Sequence, residues 1–407
     1  MSTSNVPSTS PSMPSATAPN TIRNFTPAGD RMRVISQVCI FVLSALAITF
    51  AALSQPVACA GLLGAASLIF IGSRHIAHTA EQKNKNNALW NAVKENIQKN
   101  IENSLYLGAD INSLNEEGIS LLHYAFESNN QEMIKALLGY GANINVQDRY
   151  GSTVLAWACG GKDHQPNPTI AEWLLTKGAA HSLADEFNRT PLHYAALTRN
   201  VEVTQLLLNN QAPTDPRDNN GITALHLACA PIAGTTRNIE VIRLLLTHQA
   251  SRLTRDRYGN TPLILACSAY PDKNNNPITN PTDDLSIVRL LLENDTSCQL
   301  QQQTWRGRTA LHVAAYTAAV SGNDTSIISL LIQNEVPIDV PDDWGCTALI
   351  YACGSQQQSM SSTVATCLLH NAANPQIPDK DGHTPLYWAQ NRGNPEIVQL
   401  LTSYGAR

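Results

Sequence analysis

The sequence has no surplus of basic residues. Lysine and arginine number 27 against 32 acidic residues, a net charge of −5, and that balance argues against the basic surface on which nucleic-acid binding depends. Its nine cysteines include no Cys-x-x-Cys pair and no alternation with histidine at metal-ligand spacing. No nucleophile elbow, phosphate-binding loop, zinc-protease motif or kinase signature occurs. No catalytic residue, cofactor, metal or small-molecule substrate is therefore implied, and the expectation is a protein that is not an enzyme. The rival is an enzyme whose site hides in the long loops described below. An odd number of cysteines suits a reducing compartment.

What is present is a phrase repeated along most of the chain. It is clearest at Gly221-Ile222-Thr223-Ala224-Leu225-His226-Leu227-Ala228, and copies begin at Gly118, Gly151, Asn188, Gly259, Gly307, Gly345 and Gly382. The eight anchors are separated by 33, 37, 33, 38, 48, 38 and 37 residues. Glycine leaves a turn with positive φ, and Asn188 is the best non-glycine substitute for that job. Thr or Ser caps a first helix, with Pro191, Pro262 and Pro385 at its first position, where no N–H is missed. A second apolar run such as Val241-Ile242-Arg243-Leu244-Leu245-Leu246 makes a second helix. A turn such as Lys177-Gly178-Ala179 ends the unit. One unit cannot bury its own apolar faces, so neighbours must stack.

Eight copies agreeing in wording and in a minimum period of 33 resemble the ankyrin repeat. That resemblance implies an all-α solenoid of helix pairs joined by short β-hairpin turns. It also implies that the histidine of the phrase (His123, His193, His226, His312) bonds the backbone of an adjoining turn; the alternative, a metal or catalytic role, would need these residues to converge. Cys159, Cys229, Cys267 and Cys353 follow the phrase at one recurring place, as small core residues or, alternatively, as reactive thiols. Tyr124, Trp157, Tyr194, Tyr351 and Trp388 lie inside the phrase and read as packing residues.

In that family the residues flanking the phrase's glycine form exposed fingertips that hold a protein partner, together with the concave face of the first helices. Here the fingertips carry Tyr150, Phe187, Tyr258, Trp305 and Trp344, with Arg189, Arg306 and Arg308 beside them. Aromatics and arginine are what interface centres favour. These eight residues are the candidate partner-binding set; the alternative is that they pack on the neighbouring hairpin. Five insertions are expected between paired helices, at Gly160–Thr169, Pro231–Asn238, Ser268–Asp284, Thr317–Thr325 and Gly354–Ser362.

The N-terminal part differs. Residues 1–30 are rich in Ser, Thr, Pro and Asn and read as a disordered tail. Val34–Leu53 is free of charge and long enough to cross a bilayer, and Val57–Gly72 is a second uncharged stretch beyond the break at Ser54-Gln55-Pro56. Arg31 and Arg33 on one flank and Arg74, Lys83 and Lys85 on the other predict a two-pass hairpin, residues 34–72, with both ends cytosolic. A helical pair packed on the solenoid is the alternative. The two lobes behind a Ser/Thr-rich start also look like the hairpins of chlamydial inclusion-membrane proteins and of secreted bacterial effectors, which would imply a host vacuole membrane. Residues 73–86 read as a linker and 87–407 as a repeat domain with a degenerate opening unit and eight clear repeats. The whole reads as a membrane-anchored scaffold for protein partners.

Overall fold

A computed structural model describes residues 79–231, 237–268, 281–293, 303–304, 306–320, 324–354 and 361–407. The tail at 1–30 and the apolar hairpin at 34–72 lie outside these residues. Among the described residues no helix is long and apolar enough to cross a membrane. The chain divides into two compact units, Met1–Asp110 and Ile111–Arg407.

In the first unit, a helix over residues 79–94 is followed by Gln98–Tyr106. The turn between them passes through Asn96 at φ 55°, and Ile97 N donates to Ala92 O. Leu89, Trp90, Ala92, Val93 and Ile101 are buried. Gly108 at φ 85° makes the closing turn expected there. Residues 79–86 of the stretch read as a linker are helical. Their polar composition is compatible with this, because a helix with one buried face needs few apolar residues.

Among the described residues, the second unit contains eight helix pairs. The first helices are Leu121–Glu127, Val154–Ala158, Pro191–Leu197, Ala224–Cys229, Pro262–Ala266, Ala310–Val320, Ala348–Ala352 and Pro385–Asn391. The second helices are Gln131–Gly139, Pro168–Thr176, Val201–Asn209, Ile239–Thr247, Pro281–Leu292, Ser326–Gln333, Ser362–His370 and Pro395–Ser403. First helices pack on first helices of adjacent repeats and, from the second repeat onward, second helices on second. The leucine of the phrase is the common core residue: Leu122, Leu155, Leu192, Leu225, Leu263, Leu311 and Leu349 are all buried, whereas Leu386 of the last repeat is half-buried. Side chains of Thr153, Thr261, Thr347 and Thr384 accept from the third backbone N–H of their helices, as an N-cap should. Asn130, Asn167, Asn200 and Asn394 do the same for the second helices.

Four of the five inter-helix insertions are shorter than the sequence suggests: Pro168–Thr169 and Ser362 open second helices, and the other two lose more. Pro281 opens a helix, so Pro281–Asp284 leaves the long fifth-repeat insertion; a proline that opposes helix interiors suits a helix start. Thr317–Val320 extends the sixth repeat's first helix. In the second repeat, Gly161–Asp163 forms a short 3₁₀ turn.

Candidate protein-binding face

Each repeat begins with a five-residue tip whose ends are joined by a backbone hydrogen bond. Asp148 N donates to Ser152 O at 2.9 Å, Asp218 N to Ile222 O at 2.9 Å and Asp342 N to Cys346 O at 2.9 Å. The phrase's glycines leave the tip with positive φ, and Asn188 stands in for one at φ 61°. Gly345 illustrates why a side chain is excluded: an added Cβ would lie 2.6 Å from Lys380 N of the next tip. The expected hairpins are thus narrow, with antiparallel bridges at Leu114–Ser120 and Gln147–Thr153.

A side-chain oxygen three residues before the glycine organises every tip. Asp148 accepts from the backbone N–H groups of Tyr150 and Ser152, Asp185 from Phe187 and Arg189, Asp256 from Tyr258 and Asn260, and Asp342 from Trp344 and Cys346. Thr304 does so for Arg306 and Arg308. In three repeats the second oxygen holds the aromatic nine residues on. Tyr194 O–H donates to Asp185, Tyr351 O–H to Asp342 at 2.7 Å, and Trp388 Nε1–H to Asp379 at 2.9 Å. Burial and the carboxylate partner push both tyrosine hydroxyls upward in pKa, so each stays a neutral donor. The recurrent aspartate stands at a fixed offset before the glycine, outside the phrase that the glycine opens.

Consecutive tips are stitched together through the main chain. Glu186 N donates to Tyr150 O, Asn219 N to Phe187 O, Arg257 N to Asn220 O and Lys380 N to Trp344 O, at 2.8–3.0 Å. Backbone stitching fixes the spacing of whatever the tips present.

What they present agrees in part with expectation. Tyr150, Phe187, Tyr258 and Trp344 are 44, 52, 48 and 39% exposed, so they stand out from the tips and are not packed away. Trp305 lies outside the described residues. Arg306 is exposed, while Arg189 and Arg308 are half-buried and paired with Asp218 at 3.4 Å and Asp342 at 3.9 Å in the following repeat. Guanidinium groups lie against the rings. Arg257 is 5.0 Å from the Tyr258 centroid, Arg189 6.0 Å from Phe187, and Arg306 and Arg308 are 5.6 and 5.3 Å from Trp344. These are cation–π distances. The aromatic row is interrupted, because the fourth tip carries Asn219 and Asn220. Tyr150 and Phe187 therefore form one group and Tyr258 and Trp344 belong to another.

The histidines are structural. His226 Nδ1 meets Thr223 Oγ1 at 2.8 Å and its Nε2 meets Asn260 O of the next repeat at 3.1 Å. His123, His193 and His312 repeat this pattern toward Ser152, Ile222 and Cys346 carbonyls at 3.0–3.1 Å. A carbonyl can only accept, so Nε2 carries the proton and Nδ1 accepts from the hydroxyl. Burial pulls all four below the ordinary histidine value, His123 to about 4. Cys159, Cys229, Cys267 and Cys353 are buried free thiols, and burial pushes Cys229, Cys267 and Cys353 up to about 12. A thiol held protonated is a core residue. Trp157 and Tyr351 are fully buried and Tyr194 nearly so, whereas Tyr124 and Trp388 are half-buried.

A profile described as ankyrin repeats in three copies matches residues 89–179, 164–231, 279–360 and 316–407, and a single-repeat profile matches 220–257. Inversin from Canis lupus familiaris is 31% identical over 273 residues, covering 66% of this chain and 20% of that protein. Human inversin is 26% identical over 307 residues, covering 74% of this chain and 22% of inversin. The chain thus matches about a fifth of the length of these relatives. The crystal structure of the ankyrin repeat domain of Bcl-3 aligns with TM-score 0.47 and 24% identity, covering 62% of this chain and 99% of that domain. The profile matches span well over half of the sequence, and they coincide with the helix pairs, the capped tips and the inter-repeat histidines: the chain belongs to the ankyrin-repeat family.

Proposed function

We propose that this protein is an ankyrin scaffold that captures a protein partner on its fingertips, tethered to a membrane by residues 34–72. The observation that carries the first half is the exposure of Tyr150, Phe187, Tyr258 and Trp344 on tips whose backbones are held by aspartates and by one another. Rigid aromatics on a fixed frame give contact area with little loss of side-chain freedom on binding. Arginines beside the rings add directional donors. The buried histidines and thiols contribute to the stack and take no part in capture.

The second half rests on the uncharged Val34–Leu53 and Val57–Gly72 stretches and their basic flanks. The tail and the repeats then share the cytosolic side. The resemblance of this hairpin to those of secreted bacterial effectors suggests a vacuole membrane as its destination.

The test uses the full chain. Proteins retained by the parent are compared with those retained when Tyr150, Phe187, Tyr258 and Trp344 are all changed to Ala. Loss of a specific set of proteins, with unchanged helical content, is the expected result. Retention of the full set would remove the fingertips as the binding face. Carbonate extraction and protease protection test the anchor: the protein should stay with the membrane pellet, with tail and repeats digested from the same side.

A further inference from the structure

We infer that the central fingertips, in the fourth and fifth repeats, take an acidic and extended peptide segment of the partner, its carboxylates seated on a cluster of arginines. The inference rests on the fingertip reading and gives the partner a chemistry.

Arg217 and Arg255 occupy the same place in consecutive repeats, four residues before the glycine, and both are exposed. Each reaches forward to the main chain of the next repeat. The Arg217 guanidinium donates to Arg255 O, and that of Arg255 to Gln303 O. Arg255 Nε also donates to Gly259 O at 3.3 Å. Arg257, exposed on the fifth tip, donates from Nη1 to the Asn220 side-chain oxygen at 2.7 Å. Every one of these acceptors is a neutral oxygen.

This differs from the arginines that serve the fold. Arg189, Arg237 and Arg308 have Asp218, Asp284 and Asp342 as counter-charges. Among the described residues no carboxylate lies within the 4.0 Å ion-pairing limit of Arg217, Arg255 or Arg257. The nearest acid in sequence, Asp256, uses its oxygens on the N–H groups of Tyr258 and Asn260 and on the Asn260 side chain. Three guanidiniums are thus held in place by carbonyl and amide oxygens while keeping their full charge and most of their five donors. In a chain of net charge −5 this is a local concentration of positive charge.

A carboxylate is the ligand that such a fork fits, through paired charge-assisted hydrogen bonds. Packed helices lie about 8–10 Å apart, and an extended chain advances about 3.3 Å per residue. One acidic residue in every three would therefore meet one repeat after another. The flanking tips set the limits of the segment. Glu116 and Glu117 begin the row and Asp343 and Asp381 lie beyond its centre, so a long polyanion that ran the whole face would meet like charge at both ends. Tyr258 and Trp344, against their arginines at 5.0–5.6 Å, offer apolar faces to the residues between the acids.

The experiment titrates labelled decaglutamate against the full chain by fluorescence anisotropy, with decalysine and decathymidylate as comparison probes. Decaglutamate should bind, weaken at least tenfold as salt is raised from low to near-molar, and outcompete both other probes. Arg217→Gln, Arg255→Gln and Arg257→Gln together should cost tenfold or more in affinity. If that triple variant loses helicity, Arg257→Gln alone decides, because its partner is a side chain and the tip backbone is held independently; a threefold or greater loss is expected. Equal binding by the parent and these variants, tighter binding of decathymidylate, or binding of decalysine overturns the inference. The fingertip reading fails separately, when the four aromatic substitutions leave capture of the natural partner intact. Capture lost with the aromatics but no affinity for decaglutamate would refute the acidic segment alone.

Discussion

Where the two helices of a repeat meet, Arg237 is buried; its Nη1 lies 2.5 Å from Asp284 and donates to the Ala266 carbonyl, and its Nη2 donates to the Ser268 carbonyl. At the opposite end of the repeat, Arg217, Arg255 and Arg257 stand in solvent, fixed by neutral oxygens. The same side chain does different work at the two edges. Arg237 closes the C-terminal end of the Pro262–Ala266 helix and ties the fourth repeat to the fifth; removing it leaves a buried carboxylate without its counter-charge. Among the described residues, Arg217, Arg255 and Arg257 have no carboxylate partner, whereas Arg189 and Arg308 on the same edge pair with Asp218 and Asp342. On the proposed reading, the counter-charge for the first three comes from the partner.

Substitution at the inter-helix edge should have the largest effect. Arg237→Ala is expected to cost about 3–5 kcal/mol of stability, read by urea unfolding, and adding Asp284→Ala should recover part of it. A loss below about 1 kcal/mol would show that the pair braces nothing. In the core between the edges, Leu225→Ala, at a fully buried site, should cost about 2–5 kcal/mol; an unchanged melt would contradict the register of the stack.

The histidines join each repeat to the tip of the next and give the stack a pH dependence. His123 titrates near 4 because of burial, against about 6.5 in the unfolded chain. Between those values the unfolded state holds the extra proton. The contribution is therefore complete above about pH 6.5 and declines as the pH falls toward 4, by on the order of 3 kcal/mol for this residue. Denaturant midpoints at pH 7 and pH 4.5 measure it, and His123→Asn should flatten the slope. A midpoint independent of pH across that range would contradict the neutral, carbonyl-bonded ring.

At the fingertip edge, Tyr258→Ala should cost about 2 kcal/mol of partner affinity, roughly thirtyfold, and less than about 0.5 kcal/mol of stability. The smallest effect belongs to neither edge. Ala372 closes a second helix at φ 66° and is exposed. Ala372→Gly should raise stability by about 0.5–1 kcal/mol by relieving that conformation, visible as a higher midpoint. A fall would mean that lost chain entropy outweighs the strain.

Much of this was legible in the sequence, for a physical reason. Gly221, Thr223, Leu225 and His226 each satisfy a local demand (positive φ, a cap, burial, a bridge), and a demand met at every repeat leaves a period. Asp218 meets such a demand as well, three residues before Gly221 and so outside the phrase that the glycine opens. Three things leave no period. The Arg237–Asp284 pair joins residues 47 apart through an insertion unique to its repeat. Asn219 and Asn220, which interrupt the aromatic row, follow no recurrent pattern among the tips. The neutral acceptors of Arg217 and Arg255 are backbone oxygens, and no spacing of residue types announces them. The helical character of residues 79–86 leaves no apolar period, because the apolar residues of this helix's described part are gathered late, around Leu89 and Trp90.

The central claim is that partner binding belongs to the fingertip edge. Its most direct test is to titrate one partner, found with the parent protein, against two variants of the full chain side by side. One carries Tyr258→Ala with Trp344→Ala; the other has residues 269–280 of the fifth repeat's insertion shortened to the basic period. Binding should fall at least thirtyfold in the first variant, with the unfolding midpoint unchanged, and by less than threefold in the second. If the shortened insertion abolishes binding and the aromatic variant binds as the parent does, the binding face lies at the inter-helix edge and the assignment made here is wrong.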